Sequence, residues 1–236
     1  MLIFAPALVA AAAADIVKVP MTIYAEAGSL VAGALNTTLT AEGVVDILDY
    51  DFISFGNAYY LQEDCPGFPD YDRTDGVACW QAKCGVESPP DTCFTTTIAC
   101  QHGDDECSGN NIETCAKSLY PDVLTYSTFN YCLEGNYPPT DDTLKTCAGV
   151  AGMDVNSINA CVDDSEMLGG LNQDEAYKTA LAMIPGTPTV VLNGESLSST
   201  NLLLRQVCTA FATLNPGVDA PAGCGSKTYL RGAAVE

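Results

Sequence analysis

Twelve cysteines in 236 residues constrain this chain more than any other feature. The count is even, and no two cysteines are separated by just two residues. Zinc sites usually show paired C-x-x-C ligands, often joined by histidines. Here His102 is the only histidine. The set Cys65, Cys79, Cys84, Cys93, Cys100, Cys107, Cys115, Cys132, Cys147, Cys161, Cys208 and Cys224 therefore reads as disulfides. Neither a metal nor a cofactor is expected. Disulfides imply an oxidising compartment, so the chain is expected to be extracytosolic: secreted, endolysosomal or in an organelle lumen.

Charge narrows the partners. Thirty acids against 9 bases give a formal net charge of -21. Such a surface repels nucleic acid and anionic headgroups, so neither is expected as a ligand. A protein partner or an extended peptide fits better, and docking to a membrane complex stays open. Residues 1–14 are apolar and end in an alanine run before Asp15, too short to span a bilayer. They lack a basic start, since the first positive side chain is Lys18. They read as a signal or targeting segment.

Hydrophobic patterning gives a mixed α/β (α+β) chain. Alternation predicts a strand over Val17–Tyr24, with Pro20 arguing for an edge position or a strand start. A helix is predicted over about Leu30–Leu48, interrupted near Gly43 and carrying the glycosylation sequon at Asn36. A second strand follows over Asp51–Phe55. Residues 59–92 read as a long irregular loop stiffened by two local disulfides, and Phe94–Ile98 as a third strand. Short helices fill 103–184, one of them starting at an Asn172/Glu175 cap. Thr189–Leu192 is a strand ending in an Asn193-Gly194 hairpin turn, and Ser199 caps a last helix lined by Leu203, Val207 and Phe211. The expected layout is one domain over 15–224, with a loose tail over 225–236.

Residues 100–115 read CQHGDDECSGNNIETC. This resembles the signature C-Q-H-G-x2-E-C-x2-N-x4-C of the gamma-interferon-inducible lysosomal thiol reductase (GILT) family. All eight specified positions match: Cys100, Gln101, His102, Gly103, Glu106, Cys107, Asn110 and Cys115. Met21–Ala27, Gly56-Asn57-Ala58 and Thr187-Pro188-Thr189-Val190 resemble further family segments in register. The resemblance implies a thioredoxin-like fold with a helical insertion, here with an extra cysteine-rich loop. It also implies a cis peptide before Pro188. The three signature cysteines read as staples pinning a helix to the strand before it, and Gln101 and His102 as ligands of backbone in that turn.

The family's chemistry comes from a C-x-x-C pair in the turn after strand one. There a helix N-terminus favours thiolate, and the second cysteine resolves the mixed disulfide. Aligning Glu26-Ala27 puts Ser29 and Ala32 at those positions, and no cysteine precedes Cys65. A serine hydroxyl is a poor nucleophile towards sulfur, and an alanine methyl resolves nothing. The expectation is a redox-inactive binding or scaffold subunit with no catalytic residue. The competing expectation is a thiol oxidoreductase using another pair, such as Cys79 with Cys84.

Overall fold

A computed structural model describes residues 16–29, 32–66 and 74–225. The leader expected over 1–14 and the tail beyond Gly225 lie outside them. Among the described residues no helix is long and apolar enough to cross a membrane.

Strand β1 (Val19–Tyr24) buries Val19, Met21 and Ile23 completely, as the period-two pattern requires. It lies inside the sheet rather than at its edge. It pairs in parallel with β2 (Leu48–Ile53) and antiparallel with β5 (Thr189–Leu192). Pro20 is tolerated because the β5 ladder begins only at Met21↔Leu192. The Pro20 carbonyl still accepts the Asn193 N–H at 2.8 Å.

Helix α1 (Ala32–Leu39) is much shorter than the pattern suggested. Gly43 takes a left-handed φ of +73° there, and a tight helical turn at Val45–Ile47 leads straight into β2, three residues earlier than expected. Strand β5 turns through Asn193 and Gly194, both at positive φ, into β6 (Glu195–Ser196). The four strands run in the order β2-β1-β5-β6. A βαβ unit followed by an antiparallel hairpin and a closing helix, α8 (Leu203–Leu214), is the thioredoxin-like arrangement. Leu203, Val207 and Phe211 face the core as predicted, but Ser199 does not cap α8. The helix starts after Leu202, and the Ser199 hydroxyl accepts only the Asn201 N–H.

The segment expected to be irregular holds a helix and its own core. Strand β3 (Tyr59–Tyr60) pairs with β4 (Ile98–Ala99), and α2 (Thr74–Cys84) lies between them in sequence. Val77, Trp80 and Cys84 recur at helical spacing and are buried. Trp80 is fully buried, and its indole N–H donates to the Cys93 carbonyl at 3.2 Å. Residues Asp91–Phe94 form a tight helical turn, and the strand predicted over Phe94–Ile98 is confined to β4 at Ile98–Ala99. Cys93 is tied back to Cys84, and the Phe94 ring packs edge-on against Trp80 and Tyr60, so extension is blocked.

The insertion then runs through α3 (Asp104–Leu119), α4 (Val123–Glu134), α5 (Asp141–Ala151), α6 (Val155–Asp163) and α7 (Ser165–Ala182). Side chains of Asp122, Thr140, Asp154 and Asp164 cap the last four. Asn172 and Glu175 therefore do not start α7. The Asp164 cap starts it earlier, and both lie buried in mid-helix. There Glu175 ion-pairs with Lys117 and accepts the Ser54 N–H, clamping β2 between α3 and α7.

Every cysteine is oxidised. Cys65–Cys79 and Cys84–Cys93 anchor α2, and Cys100–Cys107 closes the turn into α3. Cys115–Cys161 joins α3 to α6, Cys132–Cys147 joins α4 to α5, and Cys208–Cys224 anchors α8. So Cys115 staples helix to helix, not helix to preceding strand. Six disulfides place folding in an extracytosolic or lumenal compartment.

Candidate functional site

The turn after β1 is held by its neighbours, not by itself. The Ala27 N–H donates to Asn110 Oδ1 of α3 at 2.7 Å. The Gly28 N–H, at a φ of +89°, donates to Glu134 Oε1 of α4 at 3.2 Å. The Ser29 N–H closes the turn onto the Glu26 carbonyl at 2.9 Å. Gly109 permits the close approach of α3, since a Cβ there would stand 2.3 Å from the Ala27 methyl. Ser29 is half-buried at the rim of a cleft between α1 and α4, beside Asn130 and Glu134. Among the described residues no side chain hydrogen-bonds its hydroxyl, so nothing there activates it as a nucleophile. Ala32, the second vacated position, opens α1.

Three further segments converge on this turn. The Thr187–Pro188 peptide is cis, and Pro188 is exposed. The Asn57 side-chain amide donates to Thr187 Oγ1 at 2.8 Å and to Gln101 Oε1 at 2.7 Å. It thereby links the Gly56-Asn57-Ala58 turn, the cis-proline loop and the signature. Gly56 sits at a φ of +57° with its missing Cβ 2.5 Å from the Glu26 Cβ, so no side chain fits. The Asn57 N–H donates to Glu26 Oε2 at 3.1 Å.

The signature works the other way round from its sequence reading. The Gln101 side chain accepts the Asn57 amide rather than holding backbone of that turn. The buried Glu106 carboxylate accepts the Gln101 and His102 N–H groups, at 3.3 and 2.7 Å, and the His102 ring at 2.7 Å. Burial raises the Glu106 pKa above its ordinary value, and the Glu26 charge adds to this.

A pair of carboxyls behind the turn carries no motif. Glu113 of α3 is fully buried and accepts the Ser54 hydroxyl at 2.9 Å. Burial, with the Glu175 charge nearby, pushes Glu113 up to about 8. Burial, with the Glu113 and Glu26 charges nearby, pushes Glu134 up to about 9. Both carboxyls therefore favour the neutral form, and a proton held between them would satisfy oxygens that otherwise meet no donor. Glu113 hides among the unspecified signature positions and Glu134 in an amphipathic helix, so only spatial convergence reveals them. Asn36 is exposed on α1.

The loop pair Cys79 and Cys84 does not form, because each is bonded elsewhere. Among the described residues no free thiol faces the turn.

Comparison with known proteins returns one family. The profile described as Gamma interferon inducible lysosomal thiol reductase (GILT) matches residues 77–151. That span holds the whole signature and ends well short of Ser29 and Ala32. A "Gamma-interferon-responsive lysosomal thiol protein" of Arabidopsis thaliana is 31% identical over 121 residues, 49% of each chain. A "Gamma-interferon-inducible lysosomal thiol reductase" of Carassius auratus is 34% identical over 148 residues, 57% of this chain and 54% of its own. The chain thus spans about half the length of the curated relatives it matches.

Proposed function

This chain belongs to the GILT family, and we propose that it serves there as a redox-inactive binding or scaffold protein. The observation that carries this reading is the separation of sulfur from the turn. Ser29 and Ala32 occupy the positions the family's redox pair would take, and all twelve cysteines are locked in six disulfides elsewhere. The retained cis-proline loop supports a role in holding an extended or cysteine-containing peptide through backbone hydrogen bonds. The excess of acids supports a basic partner. In this reading the protein resides in the secretory or endolysosomal lumen or outside the cell, with Asn36 glycosylated.

The test compares wild type with a Ser29→Cys, Ala32→Cys double variant. Both are given a denatured, disulfide-bonded substrate and a small thiol as electron source. Wild type should match the background of that thiol alone, and the double variant should exceed it. One observation favours a second reading, exchange at the loop. Cys65–Cys79 is the only disulfide with both partners half-exposed. Wild-type activity above background that disappears in Cys79→Ser would establish that reading and reject the first.

A further inference from the structure

Beside the turn, donors from three separate segments converge. They are Glu26 after β1, His102 between β4 and α3, and Glu106 in the first turn of α3. Their ligating atoms lie within 4.8 Å of one another. Glu26 is 6% exposed and Glu106 0%. Among the described residues both carboxylates face one imidazole, the His102 ring. Its Nδ1 stands 2.7 Å from Glu106 Oε2 and 3.8 Å from Glu26 Oε1. One imidazole carries at most one positive charge, so two buried carboxylates remain under-compensated. The oxygens differ in a telling way. Both Glu106 oxygens accept backbone N–H groups, and Glu26 Oε2 accepts that of Asn57. Glu26 Oε1 accepts no hydrogen bond among the described residues and points at the ring.

We propose that Glu26, His102 and Glu106 bind one divalent transition-metal cation, with zinc the best match. One imidazole nitrogen with two carboxylate oxygens suits a borderline metal, whereas calcium and magnesium prefer larger all-oxygen shells. The spacing agrees. Two donors each about 2.0 Å from a tetrahedral zinc stand about 3.3 Å apart. The observed 2.7 and 3.8 Å bracket that value, so small side-chain adjustments complete the geometry. His102 must yield its Nδ1 proton to become a ligand, keeping the other on Nε2. Its half-exposed ring gives the ion a path in. Three protein donors leave a fourth position for water or for a donor on a bound partner. A cation there would neutralise both carboxylates and stiffen the segment that precedes Ser29. The proposal departs from the sequence expectation of no metal, which looked for cysteine and histidine spacing. Two carboxylates 80 positions apart leave no such spacing.

The test uses the full chain, freed of metal by a chelator, with zinc chloride in calorimetry and cobalt(II) in visible absorption. Wild type should bind one equivalent, show the absorption of a low-symmetry cobalt site and melt at higher temperature with zinc. His102→Ala and Glu26→Gln should each weaken binding by at least about tenfold. Circular dichroism identical to wild type would show that both variants fold. Saturable binding that is equal in wild type and both variants would assign the metal to surface acids and overturn the proposal. So would the lack of saturable binding in wild type.

Discussion

The turn at Glu26–Ser29 and the signature at Cys100–Cys115 face each other across the site, and they have fared differently. The turn lacks the sulfur that the family's chemistry requires. The signature keeps every specified residue, and so do the contacts between the two. Asn110 still caps the Ala27 N–H, Asn57 still joins Gln101 to Thr187, and Glu134 still takes the Gly28 N–H. The Ser29 hydroxyl meets no hydrogen-bond partner among the described residues, so exchanging it should cost little. The supporting residues satisfy buried backbone groups, and each loss there leaves an orphan donor or acceptor.

The strongest way to break this comparison is to cut the frame. Replacing Cys115 and Cys161 by alanine opens a cross-link of sequence separation 46. In the loop-entropy account that costs about 4 kcal/mol, read as a lower urea midpoint. A loss no larger than that from Cys100→Ala, Cys107→Ala, with separation 7, would show that the signature's cross-links do not set stability through loop length.

The carboxyl pair that bridges the two regions makes a pH prediction. Glu113 and Glu134 move from an ordinary 4.5 to about 8 and about 9, chiefly through burial. The native state thus holds protons that the unfolded chain releases. The stabilisation is complete below about pH 4.5 and is lost as pH rises towards 9. Between pH 5 and 8 each proton held only by the native state should account for a fall of roughly 4 kcal/mol, seen as a declining melting temperature. Glu113→Gln should flatten the profile. A wild-type melting temperature that rises over this range would refute the shared proton.

Smaller effects separate the two regions directly. Asn110→Ala strands the buried Ala27 N–H and should cost about 2 kcal/mol in a denaturant titration, although Asn110 touches no reacting atom. Ser29→Ala sits at the former nucleophile position and should change stability by less than about 0.5 kcal/mol. Equal costs for the two substitutions would erase the distinction between frame and chemistry.

Much of this was legible in the amino-acid order alone. Covalent and local features need no folding to be seen. These include the CQHG signature, the missing pair at Ser29 and Ala32, the alternation of Val19, Met21 and Ile23, and the Asn193-Gly194 turn. Long-range packing decided the rest. Trp80 became the centre of a second core only because α2 packs it beneath Phe94 and against Phe55. Gly43 cut α1 short because the chain had to return into β2. Asp164 outcompeted Asn172 as a helix start. Only the fold brought Glu26, His102 and Glu106 together, and likewise Glu113 and Glu134. A carboxylate's charge state depends on which dipoles and charges burial places around it, and residues far apart in sequence supply those.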